Sequence, residues 1–244
     1  LLDILAYNTH YNAFYLNMVA NEMFLDSALI RNSVVSKAKA LGYTPRSTRG
    51  SVATIDLEVY PVGELPSSIT IDKNTEFRST VNNIEYVFNT TGSTTITKET
   101  STNRYYANNV EIKQGVFISH QYTANTADPD QNFILPNANT DTTTLVVKIK
   151  ESSISSNTFV YSKANNITTI NSTSNVYFLN EGTDGLYEVS FGDGVYGRQV
   201  SSGNIIILDS LITDGDLVNG ASTFIPSSNV GGYTNVAVTT IASS

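Results

Sequence analysis

The chain has 244 residues, a formal net charge of -8 and a pI near 4.7, with 40% hydrophobic and only 15% charged residues. An acidic surface argues against recognition of nucleic acid or anionic membrane through phosphate contacts, and the absence of cysteine excludes disulfides, thiolate catalysis and cysteine-based metal sites. The polar remainder is heavily Asn, Thr and Ser, which favours strands and turns over solvated helices.

Residues 1 to about 46 form a helical segment. At roughly 100° per residue, Asp3, His10, Asn17 and Asn21 fall on one narrow polar stripe. Leu1, Ile4, Leu5, Tyr7, Tyr11, Tyr15, Met18, Val19, Met23 and Leu25 cover most of the remaining circumference. A helix on a domain surface carries one apolar stripe; this one needs neighbours on more than one side. Leu1, Ile4, Leu5, Tyr11, Tyr15, Val19 and Met23 are therefore the expected partner-interface residues. A second helical stretch places Leu29, Ile30, Val34, Ala38 and Leu41 at 3-4 spacing, with Asp26 or Ser27 as the expected N-cap and Gly42 as the expected C-cap.

From Ser51 the period changes to two. Val52–Val59, Ile69–Ile71, Glu76–Thr80, Ile84–Phe88, Val110–Ile112, Val116–Tyr122, Leu145–Ile149, Thr158–Tyr161, Val176–Leu179, Tyr187–Phe191, Ile205–Leu208 and Val236–Ile241 read as strands. Asn82-Asn83, Gly92, Asn108-Asn109, Asp184-Gly185, Asp214-Gly215 and Gly231-Gly232 read as turns. Asp141–Ser156 reads as a β linker, and the body divides into lobes at 47–150 and 151–244 unless it is one continuous domain. The expected fold is α+β: a helical segment followed by a mainly antiparallel β body of sandwich or barrel type.

The glycines of Phe191-Gly192-Asp193-Gly194-Val195-Tyr196-Gly197-Arg198 match G-x-G-x-x-G. That fingerprint receives a pyrophosphate only between a strand and a helix N-terminus. Here β-patterned residues stand on both sides, so the expectation is a hairpin in which Gly192, Asp193 and Gly194 serve backbone geometry. Asp128-Pro129-Asp130-Gln131-Asn132 opens like a calcium loop but has Phe133 and Asn139 where Gly and Glu are required. His10 and His120 have no companion at metal-site spacing, and the carboxylate pairs Glu181/Asp184 and Asp128/Asp130 lie in turn-like settings. Asn89, Asn166 and Asn171 head formal glycosylation triplets, as chance provides in a chain this rich in Asn, Ser and Thr. No catalytic, cofactor-binding or metal site is expected.

Four pieces, in order, resemble a known family. They are Leu1-Leu2-Asp3-Ile4-Leu5-Ala6-Tyr7 leading through Asn21-Glu22-Met23-Phe24-Leu25-Asp26 to Ala38-Lys39-Ala40-Leu41-Gly42-Tyr43-Thr44-Pro45; the strand Val52–Val59 with Ile71-Asp72-Lys73-Asn74-Thr75-Glu76-Phe77; Tyr187–Gly197; and Gly203-Asn204-Ile205 followed by Asn219-Gly220. Their order and spacing resemble the wedge proteins of contractile-tail baseplates, in the baseplate J group, nearest to those of T-even-type phages. The resemblance implies a structural role without catalysis or cofactor. Such proteins bundle helices with other wedge proteins, associate with a second copy, link wedges into a ring around the tail hub, and rearrange as the sheath contracts. It implies a virion protein of the tail baseplate, assembled in the host cytoplasm and serving host cell entry, with no nucleic-acid, membrane or small-molecule partner. It also implies that the chain is a fragment of a longer one. The alternative reading is a β-rich adhesin or receptor-binding module of a phage tail or cell surface; a glycan-degrading enzyme ranks third, because no motif names an acid and a base.

Overall fold

A computed structural model describes residues 2–43, 45–63, 65–128, 131–182 and 184–244. Two helices, α1 (Leu2–Glu22) and α2 (Arg31–Ala40), precede the strands. These are β1 (Val52–Val59), β2 (Ser68–Ile71), β3 (Glu76–Val81), β4 (Ile84–Thr90), β5 (Thr94–Thr97), β6 (Tyr105–Gln114), β7 (Val116–Thr123) and β8 (Phe133–Leu135). Then come β9 (Thr140–Lys150), β10 (Thr158–Lys163), β11 (Val176–Glu181), β12 (Tyr187–Phe191), β13 (Ile205–Ile212), β14 (Ile225–Pro226) and β15 (Val236–Ala242), with single 3₁₀ turns at Ile167–Thr169 and Gly215–Val218. The fold is α+β and mostly β, with mainly antiparallel strand pairing.

The chain separates into two compact units whose segments interleave: 1–46, 128–138 and 163–200 in one, and 47–127, 139–162 and 201–244 in the other. The expected lobes at 47–150 and 151–244 were contiguous. The partition differs because β13, which falls in the expected second lobe, pairs with both β7 and β9 of the expected first.

In the first unit β12 lies between β11 and β8. One face of this small sheet presents Tyr177, Leu179, Tyr187, Val189, Phe133 and Leu135, all buried. Glu181 falls on the same face, opposite Tyr187, and is fully buried. Arg31 at the start of α2 meets it with a bidentate guanidinium, one arm at 3.2 Å. Tyr187 Oη also donates to Pro45 O (3.3 Å), holding the chain just after α2. Burial raises the Tyr187 phenol above its ordinary value, and Arg31 opposes that shift.

The helix ends show which caps operate. Neither Asp26 nor Ser27 caps α2, which starts four residues later, at Arg31, behind an Ile30 N-cap with no side-chain bond. Glu22, the last residue of α1, accepts the Leu29 and Ile30 amides instead (2.8 and 3.2 Å). Lys37 returns its ammonium to the Glu22 carbonyl. The Leu29 amide foremost, then Ser33, Ile30 and Lys37 against a desolvation penalty, keep the Glu22 carboxyl below its ordinary range. At the other end Gly42 (φ 77) closes a Schellman motif: Tyr43 N donates to Ala38 O and Gly42 N to Lys39 O, both at 2.9 Å.

In the second unit a six-stranded sheet runs β14-β3-β4-β6-β1-β15. Alternation buries Ala53, Ile55, Leu57 and Val59 of β1 on one face. The β2–β5 ribbon contributes Ile69, Ile71 and Ile96 to that core, and Val218, Ala221, Phe224 and Val230 complete it. Phe88 and Phe224 pack edge to face at 4.9 Å. Asn82 and Asn83 both take positive φ (50 and 67), the two-residue turn that matches strand twist between β3 and β4.

Asn108-Asn109 is not a turn. It lies inside β6 as a bulge opposite Asp56, with Asn109 at φ 56 and its amide donating to Asp56 Oδ1 (2.7 Å). Asp141–Ser156 is not a linker either: Thr140–Lys150 is β9, paired on one side with β13 and on the other with β10. Three short strands, β5, β8 and β14, had no alternation long enough to stand out.

Candidate functional site

The feature of α1 that matters is what it lacks: none of its 21 residues is buried. Of the expected interface residues, Ile4, Leu5, Tyr11, Tyr15, Val19 and Met23 are all exposed, from 41% at Tyr11 to 74% at Ile4; Leu1 lies outside the described residues. Leu2, Phe14, Leu16 and Phe24, outside the expected set although their size marks them plainly, are exposed as well and extend the arc. The apolar arc then spans roughly two thirds of a helix about 30 Å long. Along it Tyr7, Tyr11 and Tyr15 form a ladder at i,i+4 spacing, with ring centroids 4.5 and 6.1 Å apart, and Phe14 meets Tyr15 at 5.9 Å. The hydrogen bond with Tyr11, and secondarily desolvation, hold the Tyr7 phenol above its ordinary value. Helices this apolar are normally enclosed. The Glu22 elbow holds the C-terminal end of α1 while its apolar length stays exposed.

The glycine motif is a closed loop rather than a hairpin. β12 pairs with β11 and β8, whereas the strand that follows, β13, pairs with β7 and β9. Gly194 N donates to Gly197 O (3.1 Å), and the loop is fastened outside itself by Gly197 N to Asn171 O (3.1 Å) and Arg198 N to Ser174 O (2.9 Å). Asp193 Oδ1 accepts the Val195 and Tyr196 amides, both at 2.9 Å; the Tyr196 amide first, then that of Val195, lower its carboxyl below the ordinary value. Gly194 sits at φ 88 and Gly197 at φ 97. A Cβ on Gly192 would stand 2.4 Å from the Gly197 backbone, so the first glycine is there for close approach. No helix follows the glycines; the next regular element is β13.

The other candidates separate. Glu181 is spent on Arg31, while Asp184 caps the Leu186 amide (3.1 Å), so they are not an acid–base pair. Pro129 and Asp130 lie outside the described residues. His10 is exposed on α1 and His120 lies in β7 opposite Leu208. Asn89 is buried and donates to Gly115 O (2.7 Å), and the carboxamide oxygens of Asn166 and Asn171 accept the amides two residues on (3.0 Å each). Among the described residues no cluster of three or more His, Asp or Glu is placed to hold a metal, and no helix is long and apolar enough to cross a membrane.

Sequence reasoning missed the polar hub of the second unit. Asp141, fully buried, accepts Gly50 N (3.0 Å) and Lys113 Nζ (2.7 Å) on one oxygen, and Thr143 N (2.9 Å) and Oγ1 (2.6 Å) on the other. Gln114 beside it bridges Asp214 Oδ2 (2.8 Å) and the Asp214 amide (3.0 Å). Gly50 has no room for a Cβ, which would lie 2.3 Å from Gln114 O. The signal was present: Val110, Ile112 and Gln114 share the buried face of β6, and a polar residue in such a series needs partners. A cleft of about 360 Å³ opens next to this hub, lined by Lys73, Glu111, Lys113, Phe117, Thr143 and Leu145 among others.

A scan against protein-family models finds no match to the chain, and a search of curated proteins finds no significant relative.

Proposed function

We propose that the chain is a structural component of a contractile-tail baseplate wedge, and that α1 is its assembly element, bundling with helices of other wedge proteins. The observation that carries this reading is the apolar arc of α1 with no buried residue. Fully burying one Leu, Met or Phe side chain is worth about 1.5–3 kcal/mol. Several such residues therefore outweigh the cost of ordering the helix against a partner. The β body supplies a stiff base, which we read as sandwich-like, with the β2–β5 ribbon laid over the inner face of the six-stranded sheet. The glycine loop, closed on its own backbone, fits a scaffold and offers no nucleotide cradle. On this reading the chain has no catalytic or cofactor role, belongs to the virion tail baseplate, and works with other wedge proteins and a second copy.

The test replaces Leu5, Val19 and Met23 together by Gln. All three side chains are exposed, so unfolding of the β units is expected to stay within about 0.5 kcal/mol of the parent. Co-assembly with wedge partners is expected to fall by at least about a hundredfold. Unimpaired assembly refutes the role of α1. The adhesin alternative would use the cleft beside Phe117; strong sugar binding on a glycan array, with assembly unaffected by the triple change, favours it.

A further inference from the structure

We infer that the outer edge of β15 is a self-pairing edge, which joins a second copy of the chain by antiparallel strand addition. β15 closes one side of the six-stranded sheet and pairs only with β1. The register fixes which backbone groups face outward. Tyr60 N donates to Asn235 O (2.9 Å), one step beyond the Val59–Val236 pair. In an antiparallel ladder hydrogen-bonded pairs alternate with non-bonded ones. Asn235, Ala237 and Thr239 therefore bond inward to β1, and Val236, Val238 and Thr240 turn their N–H and C=O groups away from it. No backbone partner takes those groups among the described residues.

Three observations select a second copy as the occupant. A two-fold axis through Val238 sets Val238 against its own mate and Val236 against Thr240 of the other copy. All outward groups of the three residues then pair in one register, giving six N–H···O bonds. Charge does not oppose that approach: Asp216 is the last charged residue, so the strand and its flanks from Leu217 to Ser244 are neutral. Edges kept apart from each other usually carry Lys, Pro or a bulge. Here the five residues Val236–Thr240 carry none, the only irregularity in the register lying beyond Thr240. The side chains of Val236 and Val238 also pack on the core while remaining partly open, so a further strand completes their burial.

The experiment measures self-association by sedimentation of the chain carrying the triple change in α1, so that α1 does not contribute. Dimerisation is expected, with slower amide exchange at Val236, Val238 and Thr240 as concentration rises. Val238→Pro removes a donor the monomer fold does not use, as edge strands tolerate, and it deletes two bonds per dimer. It is expected to weaken association by about tenfold or more. Ala237→Lys, on an exposed side chain, keeps every backbone group and is expected to weaken it as well through the charge it brings to the shared face. A chain that stays monomeric, a dimer indifferent to both substitutions, or protected edge amides in the monomer overturns the inference. Because α1 is silenced throughout, none of these outcomes bears on the assembly role proposed for it.

Discussion

Asp141→Asn is the sharpest test of how the second unit is held together. Both carboxylate oxygens are engaged, and four donors converge on them: the Gly50 amide, the Lys113 ammonium and the amide and hydroxyl of Thr143. Asparagine keeps one acceptor and turns two N–H groups toward those donors. Lys113, only 12% exposed, loses its counter-ion. Breaking one partner of such a buried pair costs about 3–5 kcal/mol, a large share of the roughly 5–15 kcal/mol that holds a domain folded. The assay is urea unfolding followed by far-UV circular dichroism and tyrosine fluorescence, the chain having no tryptophan. Lys113→Met is measured alongside. Because the two groups share one interaction, the double variant is expected to cost clearly less than the two single costs added. The pH dependence has a definite sign. Burial pushes the Asp141 carboxyl upward, but the bonds from Lys113, Thr143 and Gly50 outweigh it and hold it below its ordinary value. A depressed folded value means that the stabilisation is complete above the ordinary carboxylate range and is lost as pH falls through the folded value. The gap between parent and Asp141→Asn is therefore expected to narrow below about pH 4. A cost under about 1 kcal/mol, or a gap that does not change on acidification, refutes the reasoning.

Glu181→Gln leaves Arg31 without its carboxylate; since Arg31 is 56% exposed, the expected cost is about 1–3 kcal/mol, read as earlier proteolytic cleavage around α2 with the second unit's unfolding unchanged. Gly192→Ala places a Cβ against the Gly197 backbone and is expected to destabilise the first unit by about 1–3 kcal/mol, seen in thermal melts. Gly194→Ala meets only Gln199, at 3.8 Å, so its cost is backbone strain at φ 88, about 1–2 kcal/mol. If either change abolishes a measurable nucleotide affinity, the reading of the loop as backbone architecture fails.

Local chemistry was legible where one residue type decides the geometry. Asn82-Asn83 marked a two-residue turn because Asn tolerates positive φ, and Gly42 marked a C-cap for the same reason. The same tolerance misled at Asn108-Asn109, where positive φ serves a bulge within β6. Period two located the long strands but says nothing of partners. β12 and the strand after the glycines look like two arms of a hairpin until their neighbours are known, and β13 sits instead between β7 and β9. The α2 cap was missed because the capping group is not local: Glu22 reaches amides seven and eight residues ahead. The buried ions were half-visible. Glu181 falls in step with Tyr177 and Leu179, which announces a charge on the core face; that Arg31 answers it is a fact of tertiary structure.

The distribution of charge ties the two proposed surfaces together. The chain is acidic overall, yet α1 carries only Asp3 and Glu22, and Glu22 is consumed by the elbow. The stretch from Leu217 to Ser244 carries none. Within the units, by contrast, buried carboxylates are matched one to one: Glu181 by Arg31, Asp141 by Lys113 and Asp209 by Lys148. Interface cores are marked by depletion of charge rather than by hydrophobicity alone. A helix that is apolar but studded with lysines and glutamates would stay soluble by itself and need no partner. α1 has the apolar surface without that protection, and β15 has the open edge without it. As proposed, the two surfaces also differ in what they demand: α1 offers side-chain area to a helix that covers it, whereas β15 offers backbone groups in one register to an extended strand.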